Sequence, residues 1–241
     1  MKRMKDILKV MKFDFLTAKP LAFRAFIIVA VICFVLSLFF SPLISSYITF
    51  VALIFVIPLQ SVADKCGFNK LYGILPVKRK NITRARFLYV FLAHFLSELL
   101  EGVLAVIAFN LKMYKVLPNQ DGEAVQLIKK SFEDTTLIYV MIIGVFAFFC
   151  LLFSYMEMLA QIFGRENEMK IILITLGVMT AAAILLSVLN SYDMLPPINV
   201  PKLPEDIGGR AIFAAVLNIV VLGICLLFGE ITASRLAKRE L

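Results

Sequence analysis

The chain has 241 residues, of which 61% are hydrophobic, and its mean hydropathy is +0.91, far above the roughly half-apolar usage of a soluble domain. Its formal net charge of +8 suits either nucleic acid or an anionic membrane surface. A bilayer core about 30 Å thick requires about 20 apolar residues per helical crossing. The chain therefore has room for several crossings and for no sizeable soluble domain beside them.

Residues 4–16 predict an amphipathic helix at the membrane interface. Apolar side chains share one helical face and charged side chains the other, although Phe13 falls on the charged face. We assign residues 1–20 to this cytoplasmic interface helix and residues 21–241 to a transmembrane domain. No small-residue cleavage pattern follows the first apolar run, so we expect an uncleaved first span. The apolar face comprises Met4, Ile7, Leu8, Met11 and Phe15, and the charged face Lys2, Lys5, Asp6, Lys9 and Lys12.

Six apolar runs are each long enough to cross a bilayer, and they predict an all-α membrane protein with six transmembrane helices. Only the pair Ser41-Pro42 separates the first two runs, which predicts a tight helical hairpin because proline interrupts a helix. The predicted spans cover about 21–40, 43–63, 87–111, 137–163, 171–190 and 211–229.

The basic residues predict the orientation of the chain. Of the 25 Lys and Arg, 19 lie in the N-terminal segment, the 64–86 loop, the 164–170 link and the C-terminal tail, whereas six lie in the loops at 112–136 and 191–210. Because cytoplasmic loops carry the excess of Lys and Arg, both termini are expected in the cytoplasm. The positive charge thus follows membrane topology, and we expect no nucleic-acid partner. The 112–136 loop is mixed in charge and is expected to be partly helical, with no assigned role.

The third span contains a polar stripe. His94, Glu98 and Glu101 stand at i, i+4 and i+7 and share one helical face near mid-membrane. Ionisable groups within a bilayer are costly unless they face a partner, the bundle interior or water. Three interpretations stay open: a hydrogen-bonded cluster that joins helices, the lining of a translocation path, or a metal site. One histidine with two carboxylates is a poor zinc ligand set.

Other polar residues predict contacts between or along helices. Glu157, Gln161 and Arg165 share a face near the cytoplasmic end of the fourth span, which predicts that Glu157 pairs with Arg165 or with the interface rather than acting in catalysis. Asn110 and Asn218 are expected to join helices through side-chain hydrogen bonds.

The chain carries no recognisable catalytic motif. It contains no G-x-x-x-x-G-K-[ST] phosphate loop, no H-E-x-x-H, no G-x-S-x-G and a single histidine. We therefore expect no catalytic residue, no bound metal and no cofactor in this chain, and any energy source must lie in another chain. The four cysteines lie far apart without a C-x-x-C pair and are interpreted as packing residues, at Cys33, Cys66, Cys150 and Cys225.

Residues 64–88 carry a family pattern. They read DKCGFNKLYGILPVKRKNITRARFL, with an acidic residue after span two, a Leu75-Pro76-Val77-x-Arg79 stretch and a basic Ala85-Arg86-Phe87 start to span three. This pattern resembles the first cytoplasmic loop of bacterial ABC-2 type permeases, with Phe87 where Tyr is common. The layout of an amphipathic helix followed by six spans agrees over the whole chain. Within that family the chain is most similar to small stand-alone permeases of peptide exporters, including those of phenol-soluble modulins.

The resemblance implies the ABC-2 (type V exporter-like) fold and the membrane subunit of an ATP-driven exporter in a bacterial plasma membrane. The partners it implies are a separate ABC ATPase, which binds ATP and Mg, a second permease copy as a homodimer or a close paralogue, and membrane lipids. The implied cargo is an amphipathic peptide, such as a toxin or bacteriocin, or a hydrophobic compound. The loop between spans two and three would enter a cleft of the ATPase, with a smaller second contact at the 164–170 link. The coupling residues so implied are Asp64, Phe68, Leu71, Tyr72, Leu75, Lys78, Arg79, Arg84, Arg165 and Glu166.

Other functions fit parts of the same pattern. A non-transporting membrane scaffold or immunity protein would show the same spans without an ATPase partner. A small intramembrane enzyme would use the stripe of His94, Glu98 and Glu101 for chemistry. The basic loop also fits plain positive-inside topology with contacts to anionic lipids.

Overall fold

The computed structural model describes residues 2–56, 77–116, 123–164, 167–191, 204 and 206–239. Within these ranges the chain is almost entirely helical and contains no strand. The α-helices are α1 Lys2–Phe39, α2 Ile48–Val51, α3 Arg79–Leu111, α4 Glu123–Glu133, α5 Thr135–Phe163, α6 Glu168–Ser191 and α7 Ile207–Arg239, and the 3₁₀ helices are Pro42–Tyr47 and Met113–Val116.

Five of the described helices are long and apolar enough to cross a membrane: α1 from Ala22 onward, α3, α5, α6 and α7, with mean hydropathies of 1.9 to 2.8 over their most apolar stretches. The chain is thus a multi-pass membrane protein. These helices coincide with five of the six predicted spans. The predicted span at 43–63 appears as a shorter apolar helical stretch, Pro42–Val56, and its remainder lies outside the described residues.

The predicted interface helix and the first span form one rod. α1 runs without a break through Pro20, and at 1.5 Å per residue its 38 residues extend about 57 Å, well beyond a bilayer core of about 30 Å. Proline here leaves one backbone carbonyl of the preceding turn without its helical donor, which a long helix tolerates at a local cost.

The N-terminal part of α1 packs through a face that differs from the predicted one. Ile7 and Val10 are buried against Ile82 and Ala85 of α3. Three residues of the predicted apolar face, Met4, Leu8 and Phe15, are instead exposed. The face of α1 that packs against α3 is therefore rotated from the predicted apolar face. Met4, Leu8 and Phe15 remain exposed and are available to contact lipid.

Helix α3 begins at Arg79 rather than near residue 87. Arg and Lys are good helix formers, and Ile82 and Ala85 in this first part are buried under α1. The helix ends where Lys112 adopts a left-handed conformation (φ 46°) and donates its backbone N–H to the Ala108 carbonyl. Basic residues that the sequence places in a loop thus form the first turns of a membrane helix.

The chain reverses at the predicted hairpin. The backbone N–H of Leu43 donates to Ser41 Oγ at 3.2 Å, and Pro42 occupies the first turn of the 3₁₀ helix. The returning segment places Phe55 against Phe26 of α1, with ring centroids 5.3 Å apart.

Helices α3, α5 and α7 enclose the main apolar core. α7 runs antiparallel to α3, and α5 runs parallel to α7, as the order of their contacts along each helix shows. The described cysteines Cys33, Cys150 and Cys225 are buried and free, which confirms their packing role, and Cys66 lies outside the described residues. The core comprises Phe91, Phe146, Cys150, Val221 and Cys225.

The remaining helices lie at the edges of this core. Part of the 112–136 loop is helical, as predicted: α4 leads to Asp134, whose Oδ1 accepts the N–H of Leu137 at 2.8 Å and so caps α5. α6 contacts α5 and exposes large apolar side chains along much of its length. Such a surface suits lipid or a second copy of the chain.

Candidate functional site

The three polar residues predicted in the third span are all buried on α3. His94 and Glu101 have no exposed surface and Glu98 is 6% exposed. They lie on the face of α3 that meets α2, α5 and α7. Each of the three has a different neighbour, so the stripe connects several helices rather than converging on one point.

Glu101 is bound to the returning hairpin. The hydroxyl of Thr49, itself fully buried on α2, donates to Glu101 Oε2 at 2.6 Å. Glu101 Oε1 is buried without a hydrogen-bond partner among the described residues. Because both partners are removed from solvent, this bond ties α2 to the middle of α3.

Glu98 faces α7. Asn218 Nδ2 donates to Glu98 Oε1 at 3.4 Å, which confirms the prediction that Asn218 joins two helices. The same prediction for Asn110 is wrong, since its Nδ2 donates to the carbonyl of Val106 in its own helix at 2.8 Å. Glu98 Oε2 and Asn218 Oδ1 are buried and find no hydrogen-bond partner within the described ranges.

His94 is held in one orientation. Its Nδ1 lies 2.8 Å from the Val90 carbonyl, an acceptor, so the proton resides on Nδ1. The imidazole stacks on Phe153 of α5 with centroids 5.7 Å apart and an interplanar angle of 24°. No group of three or more His, Cys, Asp or Glu side chains in the described part of the chain is arranged to hold a metal ion.

A second buried polar centre joins α3 to α5. Arg86 Nη1 lies 3.5 Å from Glu157 Oε1, and both side chains are only 3% exposed. Gln161 Nε2, one turn further along α5, donates to the same Glu157 oxygen at 2.6 Å. Arg165, the third predicted member, lies outside the described residues. The sequence analysis counts Arg86 among the charges of the 64–86 loop and so does not predict its contact with Glu157. A signal was available, because Arg86 and Val90 precede His94 at i−8 and i−4 on the same helical face.

Beside this centre α3 is also paired with α7. Arg84 Nε and Nη2 donate to the two carboxylate oxygens of Glu230 at 2.5 and 2.6 Å. The Arg84 side chain is 18% exposed and that of Glu230 48%. The geometry is bidentate and lies nearer the surface than the pair of Arg86 and Glu157.

The coupling residues implied by the family resemblance fall mostly outside the described part. Lys78 precedes α3 in an extended conformation, Arg79 begins it, and both are exposed. Arg84 is the third that the structure describes. The others lie outside the described residues: Asp64, Phe68, Leu71, Tyr72, Leu75, Arg165 and Glu166.

A cavity of about 490 Å³ lies between α3, α5 and α7. Apolar side chains form most of its wall, with Glu98 and Asn218 at one end and Arg210 at the other. Its size falls within the range of small-molecule sites. Glu98 and Asn218 stand out in the sequence, but the cavity does not, because an interhelical space depends on how the helices pack.

Tyr139 and Arg210 organise the cavity's other end. The Tyr139 hydroxyl donates to the Arg210 carbonyl, and the Arg210 guanidinium lies 5.6 Å from the centre of the Tyr139 ring. Arg210 Nε donates to the Pro204 carbonyl at 2.9 Å and its Nη2 to Thr136 Oγ1 at 3.0 Å. These polar groups are thus largely engaged with one another.

Comparison of the chain with protein-family models, with curated proteins and with solved structures finds no match. Any functional assignment must therefore come from the chemistry of the chain itself.

Proposed function

We propose that the chain is the membrane subunit of an ATP-driven exporter of the ABC-2 type in a bacterial plasma membrane. Two permeases, identical or closely related, would work with two copies of a separate ATPase that binds ATP and Mg. The pattern in residues 64–88 supports this proposal, as does the series of long apolar helices. The cargo would be an amphipathic peptide or a hydrophobic compound.

The observation that carries the proposal is the set of contacts in the first two turns of α3. These turns directly follow the loop that is expected to meet the ATPase, and they contact three other long helices. A displacement of the loop would therefore move α3 and, through these contacts, α1, α5 and α7. The contacts are those of Ile82 and Ala85 with α1, of Arg84 with Glu230 of α7, and of Arg86 with Glu157 of α5.

The buried pair of Arg86 and Glu157 suits such transmission. Separating two charges that are both about 97% withdrawn from solvent is costly, so α3 and α5 would move together rather than slide past each other. Closure of the ATPases on ATP would then move the spans as rigid bodies between inward-open and outward-open states. A twofold pair of permeases would enclose the path, with apolar surfaces such as that of α6 available for the contact.

The proposal is tested by co-purification in nanodiscs with the ABC ATPases encoded in the same genome. Wild type is compared with the double variant Leu71→Asp and Leu75→Asp, which places charge on the expected apolar contact. Leu127→Asp is the matched control, because Leu127 is an exposed leucine on α4, in a loop expected on the opposite side of the membrane. We expect wild type and control to retain the ATPase and its turnover, and the double variant to lose both.

A wild-type protein that binds no ATPase would overturn the proposal and favour the membrane scaffold or immunity protein. Retention of the ATPase by the double variant would instead remove the coupling role from residues 68–75.

A further inference from the structure

At one end of the cavity between α3, α5 and α7, two lining side chains each carry a buried hydrogen-bond acceptor. Glu98 Oε2 and Asn218 Oδ1 are buried and have no partner among the described residues, and both side chains line the cavity. The 3.4 Å contact between Asn218 Nδ2 and Glu98 Oε1 holds the two side chains together. A buried acceptor left without a donor is destabilising, so this end of the cavity favours a ligand that brings donors.

The opposite end does not supply those donors. Arg210 uses Nε and Nη2 on Pro204 and Thr136, and the Tyr139 hydroxyl is bound to the Arg210 carbonyl. Arg210 and Asn218 are eight residues apart on α7, or about 12 Å along the axis. A cation beside Glu98 would therefore be well separated from the guanidinium.

We propose that this cavity binds a primary ammonium group carried on an apolar body. The ammonium has three N–H donors and a positive charge, which match a carboxylate oxygen and an amide oxygen. The apolar body would lie against the wall formed by residues such as Val106, Ile138, Ile142 and Ala214. The open space beside Gly102, where a Cβ added to the glycine would meet no atom within 4 Å, leaves room for it.

The claim that the bound amine belongs to an exported cargo rests on the proposed function, since an exported amphipathic peptide carries such an amine. The claim that the cavity binds a primary amine does not rest on that function, because it concerns the permease alone. The test therefore uses purified permease without any ATPase.

The probe is tritiated 1-adamantylamine, a compact apolar cage with one primary amine, and its binding is measured by scintillation proximity. We expect saturable binding by wild type. Unlabelled 1-adamantylamine should compete at least about tenfold better than 1-adamantanol or the N-trimethyl derivative, because the alcohol lacks the charge and the trimethyl compound lacks N–H donors.

Two variants locate the site by different means. Glu98→Gln keeps the shape of the side chain and an acceptor for Asn218 but removes the charge, and it should weaken binding at least about tenfold. Gly102→Leu fills the cavity and should abolish saturable binding. The matched controls are Glu230→Gln, whose carboxylate pairs with Arg84 away from the cavity, and Gly223→Leu, which also enters open space. Both controls should bind within about twofold of wild type.

Equal affinity for amine and alcohol, or unchanged binding by Glu98→Gln and Gly102→Leu in correctly folded protein, would overturn the proposal.

Once the amine is shown to bind, two competitors separate the natural sources of the amine. Competition by phosphatidylethanolamine in phosphatidylglycerol nanodiscs supports a lipid headgroup as occupant. Competition by an amphipathic peptide that is lost on acetylation of its amines supports a cargo. Amine binding by a permease that recruits no ATPase would uphold this site while overturning the proposed function.

Discussion

At the scale of single residues, the polar groups inside this bundle differ in how fully they are paired. Arg86 and Glu157 form an ion pair in which both side chains are almost fully buried, whereas Arg84 and Glu230 form a bidentate pair that is partly exposed. Burial rather than the number of hydrogen bonds decides how much stability is lost when one partner of a pair is removed. A charge without its partner is costly only where water cannot reach it.

Replacing Arg86 by methionine should destabilise the protein by about 3–5 kcal/mol, since it removes one member of an ion pair whose side chains are both buried. The measurement is unfolding of the purified protein in detergent, followed by circular dichroism. Restoring much of the loss by adding Glu157→Leu would show that the buried carboxylate of Glu157 causes it.

Arg84→Met is the matched control for that variant. The Arg84–Glu230 pair lies nearer the surface, so its loss should cost no more than about 1 kcal/mol. Equal effects of Arg84→Met and Arg86→Met would contradict the assignment of Arg86 as the buried partner.

At the scale of helices, α3 is the element on which the others assemble. Its first turns contact α1, α5 and α7, and its middle contacts α2 through Glu101. α7 approaches α3 closely at Gly229, where an added Cβ would meet Phe87 Cδ2 at 3.3 Å. Small residues allow such close contacts between membrane helices, where packing rather than water exclusion drives association.

Gly229→Leu should therefore push α7 away from α3 and destabilise the protein by about 1–3 kcal/mol through overpacking. Gly223→Leu on the same helix enters open space and should have little effect. Both variants are compared by detergent unfolding, and a neutral Gly229→Leu would show that α7 does not rest on Phe87.

At the scale of the whole molecule, the distribution of Lys and Arg predicts that both termini face the cytoplasm. The basic first turns of α3 and the C-terminal part of α7 lie together through Arg84 and Glu230, so they share whichever side of the membrane they face. α4, which this prediction places on the opposite side, is mixed in charge.

Labelling of single cysteines tests this topology. In a background without the four native cysteines, Gln126→Cys on α4 should react with an impermeant maleimide in right-side-out membrane vesicles. Lys5→Cys on α1 should react only after permeabilisation. Both positions are exposed, so the membrane alone decides access. The reverse pattern would invert the orientation of the chain and place the 64–86 loop outside the cytoplasm.

By itself the sequence determined the class of the molecule: membrane protein, helical, with long apolar crossings and a polar stripe on the third span. These follow from local properties, because the length and hydropathy of a segment govern whether it crosses a bilayer, and helical spacing governs which residues share a face. The sequence does not predict the start of α3 at Arg79, because basic residues at a membrane boundary are typical of loops. The helix is extended by the packing of Ile82 and Ala85 against α1, which local sequence does not reveal.

Only the tertiary structure decided which polar residues meet. Thr49 with Glu101, Asn218 with Glu98 and Arg86 with Glu157 are pairs far apart in the chain, and no periodicity within one helix specifies the partner on another. The same holds for the cavity beside Glu98, because an interhelical space is set by the relative placement of three helices and the side chains between them.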